Sequence, residues 1–531
     1  MIRSFMTEAR ESWQSFFSYA QQTKTLRWFI GLSIVFLYGI RLTQGDIFVD
    51  SDIMLTDPQN LIFSWYGHQR FGLVFTKQLF SLTRLLPFQQ NALFLLTDFL
   101  LALGICFCLF EWSGRSGCYR TGAFLFAGIF LTAPVFAEQF LFVLQAFESA
   151  VAMFLCVLTS YCSGRWIYDR GSMLWALLAV IFMTWAFGSY QAYPAFYIAL
   201  VLLSYIIVYI HRESSCGLRE GLMHAGLFLA GFTASQLCSR LVCTLAGASS
   251  SYVESMFSWG IQDLETCIAG IREDFYRIYR GTWPLFFSRY FLQAGMAASV
   301  LALYHGWKKK SRKFPCFLLA LILLSITPVL ITLITATPQP IRGQMTYPLV
   351  WASYILLLYT GLASLSSDRN IICFFRKAGC GAMVFGTILL GWRQGIHMSQ
   401  LWETAHEQYV SDAFTANRMY EDICRTADRS DMEHCKVVFV GTRAAKLGGS
   451  PVIGDVIGHS FFEWDASSSI GVSLRVNTFF ETLGLFMEVP APEDYEYALE
   501  LCAGRPVWPA SDSVFLTEEG IVVVKLSEDE P

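Results

Sequence analysis

The 531-residue chain is 54% hydrophobic and only 15% charged, with a mean hydropathy of +0.45. Soluble chains carry about 25% charged residues, so this composition excludes an ordinary soluble protein. A net charge of −4 leaves no basic surplus for nucleic acid, and the 15 cysteines include no paired CxxC or Cys/His spacing suited to a metal.

Residues 1–27 read as a cytoplasmic amphipathic segment; no small-residue cleavage site follows, so it is not a cleaved signal. A membrane-crossing helix needs about 20 mostly apolar residues, fewer where it is short or kinked. Stretches 28–40, 91–110, 121–136, 140–162, 173–187, 194–210, 221–246, 284–304, 314–335, 347–363 and 371–390 qualify. The expected fold class is therefore an α-helical polytopic membrane protein with about eleven transmembrane helices. The stretch 71–87, interrupted by Lys77 and Arg84, reads instead as an interfacial helix. Orientation follows from Lys and Arg in the short connections. Arg3, Arg10, Lys24 and Arg27 precede the first span. Every second connection after that is basic: Arg115/Arg120, Arg165/Arg170, Arg212/Arg219 and the run Lys308-Lys309-Lys310-Ser311-Arg312-Lys313. The N-terminus is expected in the cytoplasm, and loops 41–90, 247–283 and 336–346 of a membrane domain over 28–391 are expected outside.

Beyond residue 391 the pattern changes. Residues 394–429 carry Trp402, Tyr409, Phe414, Met419 and Ile423 along one helical stripe. Residues 436–441 read as a strand and 514–526 as a hairpin around Thr517-Glu518-Glu519-Gly520. A helix plus a small extracytoplasmic α/β domain is expected over 392–531. Cys424, Cys435 and Cys502 fall in it, with any bridge among them open.

Candidate site residues sit in the expected outer loops. Asp46, Asp50 and Asp52 follow the first span. In an extended chain Asp50 and Asp52 point to one side, which suits a base with its orienter, or a divalent cation such as Mg or Mn; a solvated acidic loop is the ordinary alternative. Trp65-Tyr66-Gly67-His68-Gln69-Arg70-Phe71 offers Arg70 and His68 to a phosphate, or simply anchors the next helix. Glu138 and Gln139 occupy a short outer connection, and Glu148 lies within the next span; carboxylates at that depth either work or pair helices. The turn containing Ser189, Tyr190, Gln191 and Ala192 suits sugar hydroxyls or an aromatic belt. Arg342, the single charge of loop 336–346, suits a lipid-linked phosphate, or snorkels. The signals share one side under a topology derived without them.

In layout, and in short stretches of sequence, the chain resembles the bacterial type II Gtr glucosyltransferases. The resemblance rests on Asp50 and Asp52 after the first span, the step from Gly67 to Phe71, the Ser189-Tyr190-Gln191-Ala192 turn, outer Arg342, and the terminal helix plus small domain. That family is similar in design to GT-C glycosyltransferases. The resemblance implies transfer of a sugar, glucose, from a polyprenyl-phosphate-linked donor to a cell-surface glycan such as O-antigen, outside the cytoplasmic membrane. It implies Asp50 or Asp52 as base and Arg70 and Arg342 at the donor phosphate; beside these, the residues themselves offer His68 as a second donor to phosphate and Glu138, Gln139, Tyr190 and Gln191 for substrate binding. Many relatives have adjacent acids; here Ser51 separates them, so either Asp fits. A flippase of lipid-linked saccharide would need more polar residues at mid-membrane than Asp98 and Glu148. A cell-envelope assembly protein would leave the outer loops without a chemical role.

Overall fold

The computed structural model describes residues 2–81, 87–212, 216–249, 256–281, 284–286, 290–365, 370–428, 432–466, 468 and 470–528. Arg84, parts of the expected loop 247–283 and the end of the expected helix 394–429 lie outside them. The chain divides into two compact units. Met1–Thr43, Ile62–Phe140 and Gln145–Ser399 form the first; Gln44–Leu61, Leu141–Leu144 and Gln400–Pro531 form the second.

The first unit is helical. Among the described residues, eight helices are long and apolar enough to cross a membrane: Lys24–Leu42, Pro87–Trp112, Ala146–Ile167, Tyr193–His211, Leu218–Ala246, Phe314–Thr335, Thr346–Ala363 and Cys373–Ala427. Two shorter apolar helices, Cys118–Leu131 and Met173–Phe187, and the helix Phe291–Lys308 occupy the remaining predicted stretches. Several boundaries differ from expectation; the expected spans 140–162 and 284–304 begin only at Ala146 and Phe291. The predicted span 121–136 stops at Leu131, because Pro134 disfavours helical backbone in the residue before it; Glu138 and Gln139 then sit on their own helix, Val135–Phe140. The last predicted span and the amphipathic helix after it are one element, Asn370–Ala427. Only isolated glycines, Gly391 and Gly395, separate the two patterns, and a helix tolerates those.

One end of this unit gathers the basic connections. The N-terminal helix Ile2–Gln22 meets two of them: Ser15 donates to Glu111, which also pairs with Arg115, and Glu8 accepts from Ser172 N and Trp175 Nε1. Asp169 links Arg165 at 3.0 Å to Arg212 at 2.5 Å, and Lys309 Nζ donates to Tyr209 O. Ile2, Met6, Trp13 and Phe17 stay exposed on one face of the N-terminal helix.

The helix Phe71–Leu79 is shorter than the predicted interfacial helix and is packed rather than superficial. It contacts helices Ala146–Ile167, Met173–Phe187 and Leu218–Ala246. Lys77 does not snorkel: its Nζ sits 2.6 Å from Glu148 Oε1, with both side chains fully buried.

The second unit holds a three-stranded sheet of β1 (Val437–Val440), β2 (Val514–Leu516) and β3 (Val522–Lys525), in the order β1-β3-β2. The expected hairpin is the antiparallel pair β2–β3; β1 joins β3 in parallel. Both faces are covered, which is why β1 reads as an unbroken apolar run. Val437, Phe439, Val522 and Val524 pack with Met419, Ile423, Phe479 and Phe480 on one face. Val438, Val440 and Val523 pack with Tyr495, Ala498 and Cys502 on the other. Val49, from the loop after the first span, is buried in the first of these cores. All fifteen cysteines, Cys424, Cys435 and Cys502 included, are free thiols.

Candidate active site

Within the first unit, most predicted site residues converge at the end opposite the basic connections. Helix Met173–Phe187 runs from Ser172, beside Glu8, to Gly188, and Tyr193–His211 runs back to Arg212. At the turn between them the backbones touch the start of helix Phe71–Leu79: Gly72 N donates to Gly188 O at 2.7 Å. A Cβ on Gly72 would strike Trp185 O, and one on Gly188 would strike the Phe71 ring, so this approach needs both glycines. The contact brings the Arg70 guanidinium over the Tyr190 ring, 5.0 Å from its centroid, and Gln191 Nε2 donates to His68 O at 2.6 Å. His68 is thus tied in through its carbonyl.

The cluster continues through Tyr193, whose ring lies 6.0 Å from that of Tyr190 and whose hydroxyl donates to Ser149 O. Ser149 Oγ takes Gln139 Nε2 at 2.7 Å. The helix carrying Glu138 and Gln139, both buried, packs on the Ile341–Gly343 turn that carries Arg342. A Cβ at Gly343 would lie 3.9 Å from the Tyr190 hydroxyl. Arg70, Tyr190, Gln191, Glu138, Gln139 and Arg342 therefore belong to one neighbourhood.

A brace that the amino-acid pattern did not reveal holds the Arg342 loop. Asp274, fully buried on helix Leu264–Arg280, accepts from Gln339 N at 2.9 Å and from the Thr332 hydroxyl, and pairs with Arg277 at 3.1 Å. Burial pushes its carboxyl up, while Gln339 N, the Thr332 hydroxyl and Arg277 favour the charge. The Asp-x-x-Arg spacing on one helical face was its only sequence signal.

Asp50 and Asp52 belong to the second unit. They are not in extended backbone: Asp50 takes a left-handed conformation (φ 67°) and Asp52 lies in the helix Ser51–Thr56. Asp52 is fully buried, and both its oxygens accept from Arg475 Nη1 at 3.0 Å. Arg475 Nε and Nη2 reach Asp465 Oδ2 at 2.8 and 2.7 Å, and Nη2 lies 3.8 Å from Asp50 Oδ1. Burial pushes the Asp52 carboxyl up to about 6, with Arg475 opposing the rise. Burial works against the Arg475 charge too, but Asp52, Asp465 and Asp50 outweigh it and raise its pKa. Asp50 keeps 30% of its side-chain surface. Arg475 borders a cavity of about 590 Å³ whose polar lining includes Asp57, Asn60, Asp465, Thr478 and Glu481. Asp46, also in this unit, takes His406 Nδ1 at 2.8 Å.

This geometry fits a divalent cation poorly. Both Asp52 oxygens already face a guanidinium, whose charge would repel a metal. Among the described residues no group of three or more His, Cys, Asp or Glu side chains has a metal-holding arrangement. Arg475 and Asp465 were not expected, because Arg475 meets Asp52 423 positions away in the chain and Asp465 lies in irregular backbone ahead of the Arg475 helix.

The family model of the glucosyl transferase GtrII matches residues 39–362. Neither the curated proteins nor the solved structures give a match.

Proposed function

The chain belongs to the GtrII glucosyl transferase family, and on that basis we propose that it is a GT-C-type hexosyltransferase of the bacterial cytoplasmic membrane. It moves glucose from a polyprenyl-phosphate-linked donor to a cell-surface glycan such as O-antigen, on the outer side. The supporting observation is the cluster joining Arg70, Tyr190, Glu138, Gln139 and Arg342, all inside the matched segment and at the end of the first unit away from its basic connections.

The chemistry asks for cations at the departing phosphate and a base at the acceptor. Arg70 and Arg342 bind the phosphate, where planar guanidinium groups match its oxygens. The ring of Tyr190 holds Arg70, and the Asp274 brace fixes the Arg342 loop. Gln139, Gln191 and Tyr190 offer hydrogen bonds to sugar hydroxyls. In the transfer the bond from the anomeric carbon to the phosphate oxygen breaks and its electrons leave with the phosphate. The acceptor oxygen bonds the anomeric carbon, and its proton passes to a carboxylate. Of the two aspartates, Asp50 is the better base, because Asp52 is committed to Arg475 and has no exposed surface, whereas Asp50 is part-exposed. Asp52 and Asp465 aim Arg475 beside it.

The test is glucose transfer in membranes from a synthetic polyprenyl-phosphoglucose to the host's surface polysaccharide, for wild type, Asp50→Asn, Asp52→Asn and Arg342→Ala. The expected result is transfer by wild type and none above background by Asp50→Asn, with the variant inserted and folded. Absence of transfer by wild type from any polyprenyl-linked sugar would overturn the reading.

A further inference from the structure

We infer that the second unit carries the seat of the acceptor, a groove that takes an uncharged hexose segment of the glycan and turns away sugars bearing carboxylate or phosphate. The inference rests on the glucose-transfer reading above and adds to it which class of acceptor is received, and where. The groove is the cavity of about 590 Å³ bordered by Arg475, a volume in the range of small-ligand pockets. Gly471, Leu474, Arg475, Thr478 and Glu481, spaced along one face of helix Gly471–Thr482, form one wall. Helix Ser51–Thr56 and the chain onward to Asn60 form the other.

Three features point to this occupant. First, the groove starts at the base. Arg475 lines it and holds Nη2 3.8 Å from Asp50 Oδ1. On the facing wall Ile53 follows Asp50 by three residues. A sugar seated against Arg475 has its hydroxyls beside Asp50. Second, the lining matches a pyranose ring, which is apolar on its C–H faces and polar at its edge. Leu474 and Val489 leave 38% and 57% of their surface exposed. Asp57, Asn60 and Glu481, all exposed, offer carboxylate and amide groups to hydroxyls. Third, the charge is one-sided. Among the described residues that line the groove Arg475 is the one cation, and it already pairs with Asp52 and Asp465. Asp57 and Glu481, one on each wall, then set the sign. They accept from neutral hydroxyls and repel an anionic sugar. The family match, residues 39–362, includes the wall from Ile53 to Asn60 and ends before the helix wall. Acceptor choice can therefore change on that helix with Arg70, Arg342 and Asp50 untouched.

The test uses the full chain in nanodiscs. Neutral oligosaccharides cut from the host's surface polysaccharide are compared with the same oligosaccharides after oxidation of their primary hydroxyls to carboxylates. Binding is read by saturation-transfer NMR without donor, and transfer is read with polyprenyl-phosphoglucose. Wild type is expected to bind the neutral form in preference to the oxidised one. Leu474→Trp fills the groove and is expected to weaken neutral binding and raise the acceptor KM by about tenfold or more, as the loss of two hydrogen bonds would. The donor KM is expected to stay at the wild-type value. Glu481→Lys is expected to narrow the preference for the neutral form by about threefold or more at low salt, and less at high salt. An unchanged acceptor KM in Leu474→Trp overturns the groove and leaves the donor reading standing. Equal binding of the two oligosaccharides by wild type overturns the selection by charge. Neutral binding that Leu474→Trp abolishes, with no transfer by wild type, keeps the groove and overturns the donor reading. If Leu474→Trp does not fold, a diazirine-bearing neutral oligosaccharide is photolysed on wild type. Competed adducts within 53–60 and 474–489 support the groove, and competed adducts confined to other segments overturn it.

Discussion

Each unit buries a positive side chain, and the two neutralise it differently. In the first, Lys77 meets Glu148 at 2.6 Å, with both side chains fully buried and the Trp65 ring 5.9 Å away. That pair is enclosed: one compact ammonium and one carboxylate, neither with exposed side-chain surface. In the second, Arg475 spreads its charge over three carboxylates, two of them at hydrogen-bonding distance and Asp50 at 3.8 Å. A planar guanidinium offers a fork of donors that an ammonium lacks. It can lock Asp52 and Asp465 and still border a partly exposed third acid. The first arrangement joins the short helix Phe71–Leu79 to the helix behind it. The second leaves one carboxylate, Asp50, partly exposed.

Three substitutions sharpen this contrast. The largest effect belongs to Asp50→Asn, expected to lower glucose transfer by about 10²–10⁴-fold, the range of a general base, with an unchanged thermal transition. A wild-type rate there, with Asp52→Asn inactive, would exchange the two roles. Lys77→Met is expected to destabilise the protein by about 3–5 kcal/mol, because it strands a buried carboxylate. Thermal unfolding in detergent measures this, and Lys77→Met with Glu148→Leu is expected to recover most of the loss. A single variant as stable as wild type would mean that water reaches the pair. Arg475→Lys keeps the charge but not the fork. It is expected to lower kcat by about 10²-fold, as small misplacements of reacting groups do, without changing KM for the donor; a shift in donor KM alone would show that Arg475 does not orient the base.

The two regions also differ in how legible they were. In the first unit apolar run length fixed where helices fall, and every predicted stretch carries one. The residues of the loops expected outside, read as separate signals, converge because the helices that end in them are antiparallel neighbours. What periodicity could not show was the fate of Lys77. A lysine in a short apolar stretch reads as interfacial until Glu148, 71 positions later, is packed against it. In the second unit the strands were visible in KVVFVG and around Thr517-Glu518-Glu519-Gly520, but parallel pairing of β1 with β3 is not a local property. The acidic pair was visible and its geometry was not: side chains two residues apart share a side only in extended backbone, whereas Asp50 turns left-handed and Asp52 enters a helix. Arg475 sits on a helix whose sequence gives no hint of a partner 423 positions earlier.

The smallest effect separates the two aspartates by pH. Burial pushes the Asp52 carboxyl up to about 6 against the pull of Arg475, so as pH falls through that value Asp52 takes a proton and releases the charge holding Arg475 Nη1. Transfer is expected to show an acid limb near pH 6. The loss is partial, because Asp465 still holds Nε and Nη2. In Asp52→Asn that hold is already neutral, so the limb should vanish and leave a lower, flatter profile. Unfolding does not account for the limb. The folded value lies above the ordinary 3.8, so the folded chain takes up this proton before the unfolded one. Acidification from about 6 toward 3.8 therefore favours the folded state through this group, and its contribution is lost as pH rises through about 6. The difference in thermal transition between wild type and Asp52→Asn should accordingly move in favour of wild type on acidification. If it moves the other way while the acid limb persists in Asp52→Asn, the limb belongs to another carboxylate, and Asp52 is a structural partner of Arg475 without influence on the base.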